Sequence, residues 1–114
     1  MTKRDPKPEL LGSLEEQVML AVVRTGDSAY GMNVRRELET VTGRAITIGS
    51  VYATLDRLEA KGLVGSWRSA ATEGSVSRRL FTITSAGARS LALTRDTRER
   101  LWKGVTLRAL GLSH

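Results

Sequence analysis

The sequence predicts a mainly α fold carrying one small β-hairpin, and three observations predict it. Stretches of helical hydrophobic period lie between Leu14 and Lys61 and are punctuated by Gly26, Gly43 and Gly62. The period then switches to a strand pattern on both sides of the small, polar run Ser69–Ser77. A long helix-compatible segment follows from Ser85. The chain has 114 residues, 40% hydrophobic and 26% charged, which fits one globular domain and not a disordered segment.

Met1–Glu9 is polar, holds Pro6 and Pro8, and reads as a flexible basic tail over residues 1–9. Ser13 stands three residues before Glu16, a capping-box spacing, so a first helix is expected over Leu14–Arg24. It is apolar on more than one face from Val18 onward and should be largely buried. Asp27-Ser28 supplies the next cap. Tyr30, Val34, Leu38 and Val41 form one stripe of a second helix, with Arg35, Arg36, Glu37 and Glu39 on its wet side. Arg44–Ile48 leaves room for a short strand. Thr47 or Ile48 then opens a third helix over about 49–61, with Val51, Leu55 and Leu58 facing inward. Only about five residues join it to the second helix, so the two must be neighbours, as in a helix-turn-helix unit.

Leu63–Arg68 and Arg78–Ile83 predict the two strands, with Trp67 as the hydrophobic anchor. A lone hairpin is marginal in water, so this one must lean on the helices. Thr84 caps a last helix expected from Ser85 to about Leu110, which at about 1.5 Å per residue would be close to 40 Å long. Its apolar points are Leu91, Leu101, Trp102 and Val105. Arg95, Arg98 and Arg100 should pair along the helix with Asp96 and Glu99. Together these elements make a winged helix-turn-helix over residues 10–84 and a C-terminal helical part over 85–114.

Composition excludes several classes of chemistry. There is no Cys, and the one His is His114, so no thiolate or multi-histidine metal site and no His-based nucleophilic relay is expected. No catalytic, metal or cofactor site is expected. The longest apolar run, Val18–Val23, is six residues, against roughly 20 for a bilayer span. With no signal-like segment either, a cytoplasmic location and no membrane partner are expected.

The net charge is +6, and 14 of the 18 basic residues are arginine. Arginine suits bidentate contacts to phosphate and base edges, so a polyanion, double-stranded DNA foremost, is the first expected partner. An acidic membrane surface is its competitor, and a weak one, because no helix combines a strongly basic face with a bulky apolar one. The third helix favours DNA. With Val51, Leu55 and Leu58 inside, its outward residues are Gly49, Ser50, Ala53, Asp56, Arg57 and Ala60. Small side chains there let a helix backbone sit deep in a major groove. The Ala53 methyl can meet a thymine methyl, and the Ser50 hydroxyl a base edge or phosphate. Tyr52 and Thr54 flank this surface and suit phosphate. Arg57 is the one long cation on the face, and Asp56 should pair with a nearby arginine. Arg35 and Tyr30 on the second helix, and Arg78 and Arg79 in the wing (about 66–80), complete the candidate DNA contacts. Trp102 suits an interface core.

The runs Leu11-Gly12-Ser13-Leu14-Glu15, Gly26-Asp27-Ser28-Ala29-Tyr30-Gly31, Ile48–Glu59 with its Val51-Tyr52-x-x-Leu55-x-Arg57-Leu58-Glu59 string, Lys61–Val64 and Arg78–Thr84 resemble the PadR-like transcriptional regulators. The resemblance covers roughly Leu10–Val105. It implies a homodimer joined through the last helix, usually acting as a repressor on a pseudo-palindromic operator. Leu10, Leu14, Leu91, Leu101, Trp102 and Val105 are the candidate dimer contacts. The chain departs from the family at the wing, where Gly74-Ser75-Val76-Ser77 replaces the usual Gly-Gly-Arg and Leu80 replaces an aromatic. Some multidrug-sensing relatives stack ligands on a Trp midway along the last helix. Here that region is Thr94-Arg95-Asp96, so the pocket is not carried over, and a small-molecule effector stays an open possibility without a site. The alternative reading is a winged-helix adaptor for a protein partner, without specific DNA binding.

Overall fold

The computed structural model describes residues 8–70, 74 and 76–112. Helix α1 (Ser13–Thr25) is followed by a single 3-10 turn over Gly26–Ser28, then α2 (Gly31–Thr42), α3 (Ile48–Ala60), strands β1 (Val64–Arg68) and β2 (Arg79–Ile83), and α4 (Ser85–Trp102). The strands pair antiparallel from Val64↔Ile83 to Arg68↔Arg79. Tyr30 adds an isolated bridge to Leu80, and the Phe81 N–H donates to the Ala29 carbonyl at 2.9 Å. The hairpin is thereby stitched to the entrance of α2.

Val18 and Met19 from α1, Val34 from α2, and Val51, Leu55 and Leu58 from α3 close into one core with Val64 and Phe81. The stripe expected on α3 is fully buried. On α2, Val34 and Leu38 are buried, but Val41, in the last turn of the helix, is exposed. Trp67 does not anchor the hairpin: it is 47% exposed, and Phe81, directed to the opposite face, fills that role at 1%. Strand side chains alternate between faces, so one aromatic on each strand cannot fix which face is the inner one.

Helix boundaries follow local capping chemistry. The N-cap of α1 is Gly12 rather than Ser13, and it is Glu15, not Glu16, whose carboxylate accepts the Gly12 N–H at 3.1 Å. Tyr30, not Asp27-Ser28, precedes α2, because the 3-10 turn consumes those residues. Arg44–Thr47 forms no strand and is a plain connection into α3. Thr47 caps α3, its Oγ1 accepting from the Ser50 N–H at 3.1 Å. Thr84 caps α4 in the same way, accepting from the Gly87 N–H at 3.0 Å.

Helix α4 is shorter than expected: 18 residues, or about 27 Å. It stops at Lys103, where Gly104 adopts a left-handed φ of 80° that ordinary residues resist. Its first half packs on the body, burying Gly87, Ser90 and Thr94. Arg98 pairs across to Glu16 on α1 rather than along its own helix. Arg95 approaches Asp96 at 3.7 Å, and Arg100 reaches only the Thr97 hydroxyl. Most of the expected tail lies outside the described residues. Glu9, by contrast, is held: its N–H donates to Ser90 Oγ at 3.3 Å, and its carboxylate lies 3.1 Å from Lys61.

Candidate nucleic-acid interface

Helix α3 turns a slim, solvent-facing side outward. Gly49, Ser50, Ala53, Asp56, Arg57 and Ala60 are all exposed, while Val51, Leu55 and Leu58 hold the opposite side in the core. No described side chain longer than Arg57 or Asp56 rises from this face. The Ser50 hydroxyl lies 2.9 Å from Thr47 Oγ1, which orients it at the first turn of the helix. There the backbone N–H groups carry a partial positive charge suited to an anion.

The two neighbours expected to flank this face are placed differently. Thr54 is 1% exposed, and its hydroxyl donates back to the Ser50 carbonyl at 2.8 Å. It sits inside with Leu55 and is no surface contact: a threonine satisfied within its own helix can pass to the buried side at little cost. Tyr52 is half-buried against the core, its ring end resting on the Gly31 backbone, where a Cβ would lie 2.4 Å from the ring.

The arginines divide into two classes. Arg78 is exposed and stacks over the Tyr30 ring at 4.2 Å, a cation–π contact that leaves its N–H groups available to solvent. Arg57 stays largely exposed, 3.9 Å from the Glu15 carboxylate. Arg35 and Arg79, in contrast, are engaged within the molecule. Arg35 donates to the Ile46 carbonyl at 2.8 Å and lies 3.7 Å from Glu39, fastening α2 to the approach to α3. Arg79 bridges Asp56 at 2.9 Å and Glu59 at 2.6 Å. Asp56 does therefore pair with an arginine. The Ser66 hydroxyl, and after it Arg79, hold the Glu59 carboxyl below its ordinary value despite partial desolvation.

One exposed cation on this side, Arg44, escaped the sequence reading, which places a second, Arg36, on the wet side of the second helix. Arg44, in the turn between α2 and α3, is exposed and has no carboxylate within 4.0 Å among the described residues. Arg36 is exposed and touches only Asn33 Oδ1, at 3.2 Å. The available signal for Arg44 was its place directly after Gly43, at the mouth of the third helix. Part of the wing tip, residues 71–73 and 75, falls outside the described residues, so the departure at Gly74-Ser75-Val76-Ser77 is placed only in part.

The expected dimer contacts lie just before α1 (Leu10), on α1 (Leu14), along α4 (Leu91, Leu101, Trp102) and just beyond it (Val105). Leu10, Leu101, Trp102 and Val105 are exposed, whereas Leu14 and Leu91 are half-buried against the core. Among the described residues no group of three His, Cys, Asp or Glu is placed to hold a metal ion, and no helix is long and apolar enough to cross a membrane.

Comparison with known proteins bears on this arrangement. The family model described as transcriptional regulator, PadR-like family, matches residues 19–93. No curated protein sequence matches the chain significantly. Among solved structures, a PadR-like transcriptional regulator from Bacillus cereus superposes with a TM-score of 0.70 at 20% identity, covering 89% of this chain and 93% of that one. A PadR family transcriptional regulator from Eggerthella lenta gives a TM-score of 0.62 at 28% identity, covering 81% and 83%. PadR from Bacillus subtilis, solved in complex with operator DNA, gives a TM-score of 0.56 at 16% identity, covering 69% of this chain and 45% of that one.

Proposed function

The chain belongs to the PadR-like family of transcriptional regulators, and from that premise we propose that it is a homodimeric, sequence-specific repressor of double-stranded DNA sites. The α3 face enters the major groove of each half-site, with Ser50, Ala53 and Arg57 against base edges or phosphates. Arg78, stacked on Tyr30, supplies the wing's phosphate contact, and Arg44 and Arg36 add two more beside the entering helix. Tyr52 supports the face from beneath and offers its hydroxyl at the margin. Residues 10–84 form the reading domain, and the part from Ser85 onward joins two copies. The half-sites of a pseudo-palindrome would then lie about one duplex turn apart, ~34 Å.

The observation that carries this reading is the α3 face, exposed over its whole length and capped by Thr47. The basic excess of +6 supplies the long-range attraction. A salt titration of binding to the promoter beside its own gene, with scrambled duplex as competitor, tests it. Log affinity should fall linearly with log salt, by about 0.9 per phosphate contacted. A flat slope, or equal affinity for the scrambled duplex, would reject sequence-specific DNA reading and favour a protein partner.

A further inference from the structure

Asp56 is an acid on the helix face assigned above to the DNA groove. Its side chain is 59% exposed, and its neighbours one turn before and after, Ala53 and Ala60, are exposed methyl groups that cannot cover it. A carboxylate in that place repels phosphate and weakens the approach to any duplex. Its presence there calls for a group on DNA that a carboxylate can satisfy.

The carboxylate is gripped at one oxygen only. Oδ1 accepts from Arg79 Nη1 at 2.9 Å, whereas Oδ2 takes no hydrogen bond among the described residues. Arg79 is itself fixed: Nη2 lies 2.6 Å from Glu59, Nε reaches the Ser66 hydroxyl at 3.4 Å, and the guanidinium rests over the Phe81 ring at 4.7 Å. Phe81 is buried, so the platform under Arg79 belongs to the core. Asp56 is thus an acceptor oriented in advance, with its second oxygen open. Two carboxylates around one guanidinium also leave a negative charge uncompensated where wing meets helix.

We propose that Asp56 Oδ2 accepts a hydrogen bond from the exocyclic amino group of a cytosine in the major groove, at one position in each half-site. Only cytosine N4 and adenine N6 carry amino donors in that groove. Adenine sets its N7 acceptor beside N6, which repels a carboxylate, whereas cytosine has a C–H there. The uncompensated charge then works as a filter: it disfavours duplexes that present only acceptors at that position and is offset where the amino group stands. The proposal rests on the DNA reading proposed above and adds to it one base identity and the residue that selects it.

Selection from a random duplex library with the full chain, followed by sequencing, tests this. The unsubstituted protein should enrich a motif with cytosine at one fixed position per half-site, preferred by about fivefold or more over other bases. Asp56→Ala should make that position indifferent, keep the rest of the motif, and bind scrambled duplex more tightly than the unsubstituted protein does. Asp56→Asn should turn the preference to adenine, because an amide accepts from N6 and donates to N7. Glu59→Gln loosens Arg79 from its other side and should alter no base preference. The proposal is overturned if the Asp56 variants select the unsubstituted motif, or if the position they change is not cytosine. It is also overturned if preference weakens at all positions alike, which leaves Asp56 only the task of holding Arg79. A library from which the unsubstituted protein enriches no motif overturns the DNA reading itself, and this proposal with it.

Discussion

The guanidinium of Arg79 lies 2.9 Å from the carboxylate of Asp56, joining the second wing strand to the exposed face of the third helix. Glu59 takes the other side of the same guanidinium, and Ser66 of the first strand bonds Glu59 in turn. Wing and reading helix are thus held at a fixed spacing by a network with no phosphate in it. Arg79→Ala should lower DNA affinity a few-fold by loosening that spacing, while the slope of log affinity against log salt stays as it was. Arg78→Ala should reduce the slope by about one phosphate, since its charge is free to reach the backbone. Binding isotherms at four salt concentrations distinguish the two, and equal slope changes would show that Arg79 leaves its acids on binding.

Arg57→Ala addresses base reading. It should cost about 1–3 kcal/mol on the operator and clearly less on scrambled duplex. Competition gel shifts measure both, and equal losses on the two duplexes would reassign Arg57 to a phosphate.

Two glycines should resist enlargement for different reasons. A Cβ at Gly87 would stand 2.0 Å from the Leu63 carbonyl oxygen, a backbone atom, so Gly87→Ala must push α4 off the body. A loss of about 1–3 kcal/mol in urea unfolding is expected. At Gly31 the obstacle is the Tyr52 ring, so Gly31→Ala should cost less once Tyr52→Ala has removed it. A double-mutant cycle reads that coupling directly.

Acid should weaken the fold through Glu15. Burial pushes its carboxyl up, but the Gly12 N–H, Lys61 and Arg57 together bring it below its ordinary value of 4.5. A depressed carboxyl stabilises the folded state fully above that value and ceases to do so as pH falls through the lower, folded one. Stability should therefore decline below about pH 4.5, and Glu15→Gln should flatten the decline. Lys61, raised by its bonds to Glu15 and then Glu9, has the opposite sign, and its contribution is lost above pH 10.5. Urea midpoints across the pH range test both limbs.

Periodicity exposed what is local. The Val51, Leu55 and Leu58 stripe, the two strands and the cap Thr84 were legible because each depends on residues within a few positions, and Thr47 is one of two residues that the sequence offers for the start of α3. The outward set on α3 followed from the same wheel. Thr54 was misplaced because a hydroxyl satisfied at Ser50 makes a polar residue acceptable inside, and polarity alone conceals that. Arg79 looked free because its partner Asp56 is 23 positions away, and Arg35 because its closest bond is to the Ile46 carbonyl, a backbone atom that composition does not display, although Glu39 four positions on was in view. The early end of α4 did leave a trace, a basic Lys103 followed by Gly104, which is an ordinary stop signal.

The segment before α1 hangs from two hydroxyls on α4, with the Leu11 N–H donating to Thr94 Oγ1 at 3.0 Å and the Glu9 N–H to Ser90 Oγ. Stretches more than 80 positions apart are thereby sutured, and the suture is shielded from water at Leu11 and Thr94. Unravelling cannot start on one side of that seam without opening the other. Under hydrogen exchange, the Leu11 amide and the amides of the first turns of α4 should lose protection together, as one cooperative unit, rather than fraying independently.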